Sequence, residues 1–208
     1  MIELLSANTP NGWKISIMLD EIGFKYKVTK VDIGNDEQFK PEFLKISPFG
    51  KIPVIIDHEK NKSIFESGAI LMYLGDKSKK FYNENERLTI NQWLMAQMGT
   101  VGPMIGQHHQ FHHYNPGKSK FGEERYFKIT KRIYGELDAR LNNSQYLAGP
   151  DYTIADIATW PWMARHEWHD IGLKNYKNLS RWYLDIAERE AVVKGYNFMD
   201  KESKIPKI

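Results

Sequence analysis

The spacing of apolar positions divides this chain into two parts. "MIELLS" (residues 1–6) reads as a strand. In "NGWKISIMLDEIGF", Ile15, Met18, Leu19 and Ile22 recur at helical spacing, and Gly23 supplies a stop. "KYKVTKVDI" returns to β-rich composition, and "NDEQFKPEFLKIS" is irregular or weakly helical, because Pro41 limits any long helix. "KIPVIID" and "KSIF" form two short strands separated by the polar turn "HEKN", and "ESGAILMYLGDK" is again helical. From about Arg87 onward the helical period dominates, broken at "GPMIGQ", "YNPGKSKFG" and "AGPDYT".

The first part therefore runs β-α-β-α-β-β-α, the order of a thioredoxin-like half in which helices cover a mixed sheet. Polar "DKSKKFYNENE" bridges it to the helical part, and the last residues read as a solvated tail. The chain has 208 residues with 41% hydrophobic content, enough to bury its own core. A net charge of +3, with Lys and Arg scattered, argues against a nucleic-acid partner. No apolar run approaches the ~18 residues of a membrane span, and the start lacks the features of a signal peptide, so the expected location is cytoplasmic. Cysteine is absent altogether. The polypeptide then has no thiolate and no Cys-x-x-Cys pair, and any thiol chemistry must arrive with a ligand.

Several clusters could carry chemistry. In "SANTPNGWK", Thr9, Asn11 and Lys14 crowd a strand–helix junction where Thr9 also suits an N-cap and Pro10 the first helical position. In "GKIPVIID", Pro53 opens a strand. It fits either an edge strand with a trans bond or a cis Ile52–Pro53 bond that turns the Ile52 backbone toward a peptide-like ligand. In "FESGAI", Ser67 begins a helix whose free N–H groups can receive a carboxylate, and Glu66 can accept an ammonium. Together they suit an α-amino acid head group; they also suit ordinary capping.

Thr153 and Asp156 in "DYTIADIATWPW" form a capping box that serves folding. His108/His112 and His109/His113 in "GQHHQFHHY" are i, i+4 pairs on different faces with no acidic ligand beside them. They read as polar-face or pocket-lining residues, with no metal. Trp160, Trp162, Trp168 and Trp182 read as packing.

TPNGxK, GKIPVIID, FESGAI, GPMIGQ and YTIADIATWPW, in this order and spacing, resemble the glutathione transferase superfamily, and more narrowly its nu-class bacterial disulfide-bond oxidoreductases. The resemblance spans nearly the whole chain. It implies a thioredoxin-like glutathione-binding domain at 1–77 with a mixed four-stranded sheet and a cis proline, a linker at 78–86, an all-helical domain at 87–200 and a tail at 201–208.

By that resemblance, glutathione contacts fall on Asn11, Gln38, Ile52, Glu66 and Ser67. Ile52 pairs with the cysteinyl backbone ahead of a cis Pro53, and Glu66 and Ser67 hold the γ-glutamyl amine and carboxylate. Thr9 and Asn11 face the sulfur as catalytic groups, Arg125 reaches the ligand from the helical domain, and Lys14 and Lys51 help hold the glycyl end. The implied activity is thiol–disulfide exchange by bound glutathione, as co-substrate and without metal, in a homodimer. Glutathione transfer to electrophiles, hydroperoxide reduction and a non-catalytic, glutathione-binding regulator are the alternatives.

Overall fold

Strand β1 (Ile2–Ser6) buries alternate positions, Ile2, Leu4 and Ser6, as a period-two pattern requires. Its parallel partner β2 (Tyr26–Lys30) is reached through α1 (Pro10–Ile22), and β3 (Val54–Asp57) and β4 (Lys62–Phe65) complete a mixed sheet of order β2-β1-β3-β4. The computed structural model describes residues 1–208. They fall into two compact units, Met1–Tyr82 with Arg189–Lys204, and Asn83–Glu188 with Ile205–Ile208.

In the first unit, Thr9 is extended and its Oγ1 accepts the Gly12 N–H at 3.3 Å, so α1 begins with a satisfied cap. Gly23 ends it at φ 75°, where a side chain would be strained, and its N–H closes onto the Asp20 and Leu19 carbonyls. A short helix α2 (Pro41–Leu44) follows in the segment limited by Pro41. Helix α3 (Ser67–Ser78) is tied to β3 through Asp57, a fully buried carboxylate that accepts from Tyr73 Oη and Lys77 Nζ, each at 2.5 Å. These donors, together with the Glu59 N–H, outweigh the desolvation that opposes them and hold the Asp57 carboxyl down at about 2. The Ile52–Pro53 bond is cis.

The same unit includes a helix far along the chain, Glu190–Tyr196, which lies against α1. A Cβ at Gly195 would come within 2.6 Å of the Ile17 backbone, so only glycine permits this approach. Trp13 and Tyr196 meet with ring centroids 4.3 Å apart, and Arg189 pairs with both Glu21 carboxylate oxygens at 2.6 and 2.8 Å. The expected division kept residues 87–200 together; in the structure Arg189–Lys204 groups with the sheet.

The second unit is helical: α4 (Arg87–Ala96), α5 (Gly102–His108), α6 (Lys120–Asn142), α7 (Ile154–Met163) and α8 (Lys177–Ala187), with Glu190–Tyr196 of the first unit becoming α9. Wider π-type turns at Gln97–Val101 and His109–Tyr114 flank α5. Every residue of α7 is buried. Its capping box forms with both halves present, and Asp156 also accepts the Leu147 N–H and Trp182 Nε1–H, each at 2.9 Å. Trp160 and Trp182 are core residues. Trp168 is half-buried between His113 (4.0 Å, stacked) and the Arg165 guanidinium (4.1 Å).

Two sequence expectations are corrected in this unit. His108 and His109 are core residues, not polar-face or pocket-lining ones. His109 Nε2 lies 2.8 Å from His169 Nε2, whose Nδ1 is 2.6 Å from the Tyr134 hydroxyl, and His108 Nε2 meets the His169 carbonyl at 3.0 Å. The partners Tyr134 and His169 are distant in sequence, which is why the i, i+4 spacing alone did not reveal the network. The tail is also held: Tyr183 Oη donates to the Pro206 carbonyl at 2.7 Å, leaving Ile205 and Pro206 half-buried. No helix is long and apolar enough to cross a membrane.

Candidate functional site

Strand register assembles the site. Leu5 near the end of β1 pairs with Val54 at the start of β3, and Val54 pairs on its other side with Phe65 at the end of β4. Ser6 lies opposite Lys30 at the end of β2, and the Val31 N–H continues the pairing to the Ser6 carbonyl at 2.8 Å. Four connections therefore leave or enter one end of the sheet: the one carrying Thr9 and Asn11, the one leading toward Gln38, the one holding Lys51–Pro53, and the Glu66–Ser67 junction. Residues scattered over the 59 positions from Thr9 to Ser67 share one rim because parallel β1–β2 and antiparallel β1–β3–β4 pairing bring their connections to the same end of the sheet.

At the α1 corner, Thr9 and Asn11 are both half-buried. Thr9 Oγ1 spends a lone pair on the Gly12 N–H, so its own O–H is left to donate. Capping leaves this hydroxyl able to donate as well. Asn8, which the sequence did not single out, accepts the Trp13 Nε1–H at 2.7 Å and braces the corner. Gly12 lets the corner close: a Cβ there would lie 2.5 Å from the Ala7 carbonyl oxygen and from Ser6 Oγ.

The strand β3 entrance is held from behind. Ser47 is fully buried, donates to the Lys51 carbonyl at 2.7 Å and accepts the Lys51 N–H at 3.1 Å. Sequence reasoning missed this serine; its signal is the Ser-Pro pair four residues before Lys51. Ladder pairing begins at Val54, so the Ile52 backbone lies outside it, while the Ile52 side chain packs on Val31, Phe43 and Val54. Pro53 is buried and Lys51 exposed.

The β4–α3 corner of the rim is Glu66–Ser67. Glu66 is exposed at φ 66°, ψ 115°, a strained conformation for a residue with a side chain, worth about 1–3 kcal/mol. That turn ends β4 and starts α3 within one residue, leaving the carboxylate outside and Ser67 buried at the helix start. Lys14 Nζ lies 3.3 Å from Ser67 Oγ. Burial lowers the Lys14 ammonium to about 7, against the opposing pull of the Glu66 charge. Gln38 is buried; its Nε2 reaches the Ile33 carbonyl at 3.4 Å and its Oε1 has no partner in the chain. An orphaned buried acceptor on this rim fits a donor supplied by a ligand.

Lys14 and Lys51 have different surroundings, one buried against Ser67 and the other exposed. Arg125 belongs to the other unit, exposed on α6 with its guanidinium 5.9 Å from the Tyr126 ring. No group of three or more His, Asp or Glu stands together to hold a metal. The rim thus offers hydroxyl and amide donors, a carboxylate, a helix start with a serine, and an unpaired amide oxygen. That set has the chemistry to pair with a zwitterionic peptide; it contains no thiol of its own.

Family profiles place this arrangement. The profile described as Glutathione S-transferase, N-terminal domain matches residues 2–76, and Glutathione S-transferase, C-terminal domain matches residues 95–190. Disulfide-bond oxidoreductase YfcG of Escherichia coli is 45% identical over 198 residues, covering 92% of each chain. The crystal structure of a glutathione transferase from Burkholderia graminis, with two glutathione molecules bound per subunit, superposes at TM-score 0.89 with 37% identity over 97% of this chain and 89% of that one. One from Pseudomonas putida, with one glutathione disulfide bound per subunit, gives 0.88 with 40% identity over 95% and 91%. The chain belongs to the glutathione S-transferase family.

Proposed function

We propose that this chain is a glutathione-dependent disulfide-bond oxidoreductase that draws both reducing electrons from bound glutathione. One observation carries the reading: a rim with a carboxylate, a buried serine at a helix start and a hydroxyl at the α1 corner occurs in a chain with no cysteine. The nucleophilic sulfur then belongs to the ligand. YfcG's activity and the glutathione and glutathione disulfide in the related crystal structures support the same substrate class.

In this reading Glu66 accepts the γ-glutamyl ammonium, Ser67 and the first N–H groups of α3 receive its carboxylate, and the Ile52 backbone pairs with the cysteinyl residue beside Pro53. Gln38 Oε1 accepts a ligand N–H. Lys51 contributes charge to the remainder of the ligand, and Lys14 lies behind Ser67. The Thr9 hydroxyl and Asn11 amide point donors at the sulfur. Donors to the charged form favour thiolate over thiol.

A free thiol ionises near 8.5, and each unit of depression is worth roughly 1.4 kcal/mol. Two or three hydrogen bonds supply about one to two units. The thiolate then attacks one sulfur of the substrate disulfide, forming a mixed disulfide and expelling one substrate thiolate. A second glutathione thiolate attacks the glutathione sulfur of that mixed disulfide, giving glutathione disulfide and the second substrate thiolate. Two glutathiones are oxidised, one disulfide is reduced, and the two thiol protons pass to the products.

The expected setting is the cytoplasm, where reduced glutathione is plentiful. The expected assembly is a homodimer. Side-by-side assays with 2-hydroxyethyl disulfide, an aryl chloride and cumene hydroperoxide test the reaction. Fastest turnover with the disulfide supports it. Preference for the chloride or hydroperoxide makes the chain a transferase or peroxide reductase, and glutathione binding without turnover makes it a regulator.

A further inference from the structure

Lys51 and Ile52 precede β3 without a strand partner, because the ladder begins at Val54. At Lys51 a side chain takes the missing partner's place. Ser47 Oγ donates to the Lys51 carbonyl at 2.7 Å and accepts the Lys51 N–H at 3.1 Å. Ser47 is fully buried, so water does not compete for its hydroxyl. Its own carbonyl accepts the Gly50 N–H at 2.9 Å, closing a turn that brings the hydroxyl against Lys51. Gly50 lies at φ 59°, and a Cβ there would come within 2.6 Å of the Phe39 ring and 3.1 Å of the Gln38 carbonyl. The turn is thus seated on the Gln38–Phe39 segment, another part of the same rim.

The Lys51 carbonyl shares one planar peptide unit with the Ile52 N–H. That unit is trans, so its C=O and N–H point in opposite directions. With the carbonyl drawn inward onto Ser47, the Ile52 N–H is turned away from Ser47, and no backbone acceptor of the chain takes it. The bond to the carbonyl also polarises the amide, which strengthens the N–H as a donor. We propose, building on the glutathione reading above, that Ser47 is the positioning residue of the peptide-backbone subsite: by holding the Lys51 carbonyl it aims the Ile52 N–H at the cysteinyl carbonyl of the bound tripeptide. Ser47 itself does not touch the ligand. Without its hydroxyl the Lys51–Ile52 plane is free to rotate, and what is lost is the affinity carried by that one ligand carbonyl.

Calorimetric affinities for a pair of ligands test this. One is S-methylglutathione, which keeps thiol ionisation out of the measurement. The other is its analogue with a trans alkene in place of the cysteinyl–glycyl amide, which deletes the carbonyl and keeps the extended shape. The wild-type protein should bind S-methylglutathione about tenfold more tightly than the alkene. In Ser47→Ala that preference should shrink to about twofold or less, with affinity for the alkene nearly unchanged. A merely structural loss would weaken both ligands alike and preserve the ratio. Should Ser47→Ala fail to fold, Ser47→Cys gives the same comparison, because a thiol fills the space and donates only weakly. A ratio undiminished in the variant, or a wild type that binds both ligands equally, overturns the proposal while leaving the glutathione reading intact. A wild type that binds neither ligand removes that reading and the proposal together.

Discussion

Ser16 Oγ donates to the Gly195 carbonyl at 2.6 Å, locking α9 against α1 across 179 residues of chain. Two glycines give opposite forecasts. Gly195→Val forces side-chain atoms onto the Ile17 backbone, which cannot rotate away, so stability should fall by about 2–3 kcal/mol. Gly135, on α6, has no atom within 4 Å of an added Cβ, and Gly135→Ala should raise stability by up to about 1 kcal/mol through helix propensity. Thermal denaturation of the two variants checks both; a Gly195→Val midpoint at or above wild type contradicts the packing.

The buried imidazoles make stability depend on pH. Burial holds His109 down at about 3 and His169 well below the ordinary imidazole value, while in the unfolded chain both take up a proton near 6.5. Their contribution is therefore complete above about pH 6.5 and is lost as pH falls below it, by roughly 1.4 kcal/mol per unit for each ring. Lys14 has the same sign in a different window, from its unfolded 10.5 down to about 7, so it is nearly constant below pH 7. Denaturant midpoints between about pH 7 and pH 5 should fall steadily, ahead of the loss tied to Asp57, which begins near 3.8. A flat profile over that interval contradicts a neutral, buried network.

Most elements of the sheet unit were legible because local chemistry and tertiary structure agree: Thr9–Pro10 starts α1, Gly23 ends it, and β1 alternates. The two residues Ile52–Pro53 leave the isomer open because surrounding contacts set it; the family resemblance implies the cis form, which the structure has. The return of α9 was hidden because it depends on a backbone approach at Gly195 that no periodicity announces. The histidine cluster misled for a related reason: regular i, i+4 spacing was assumed where His109–Tyr114 forms a wider turn and the decisive partners, Tyr134 and His169, come from other segments. Ser67 was legible as a helix start, whereas Lys14 behind it needed the fold.

Thr9 and Asn11 should act on rate more than on binding. Asn11→Ala should lower kcat for disulfide reduction about tenfold, with glutathione affinity within roughly threefold of wild type. Thr9→Ala should also lose about 1 kcal/mol of stability with its cap, and Thr9→Ser should restore both cap and rate. Steady-state kinetics beside thermal denaturation separate the two effects. Unchanged turnover in both alanine variants removes these residues from the chemistry.

The most direct measurement is spectrophotometric titration of the glutathione thiolate in complex with the protein. Donors at the α1 corner should bring its ionisation about one to two units below the ~8.5 of a free thiol, and Asn11→Ala should return part of that shift. An ionisation unchanged from free glutathione, in a complex shown to be saturated, would contradict sulfur activation by this rim.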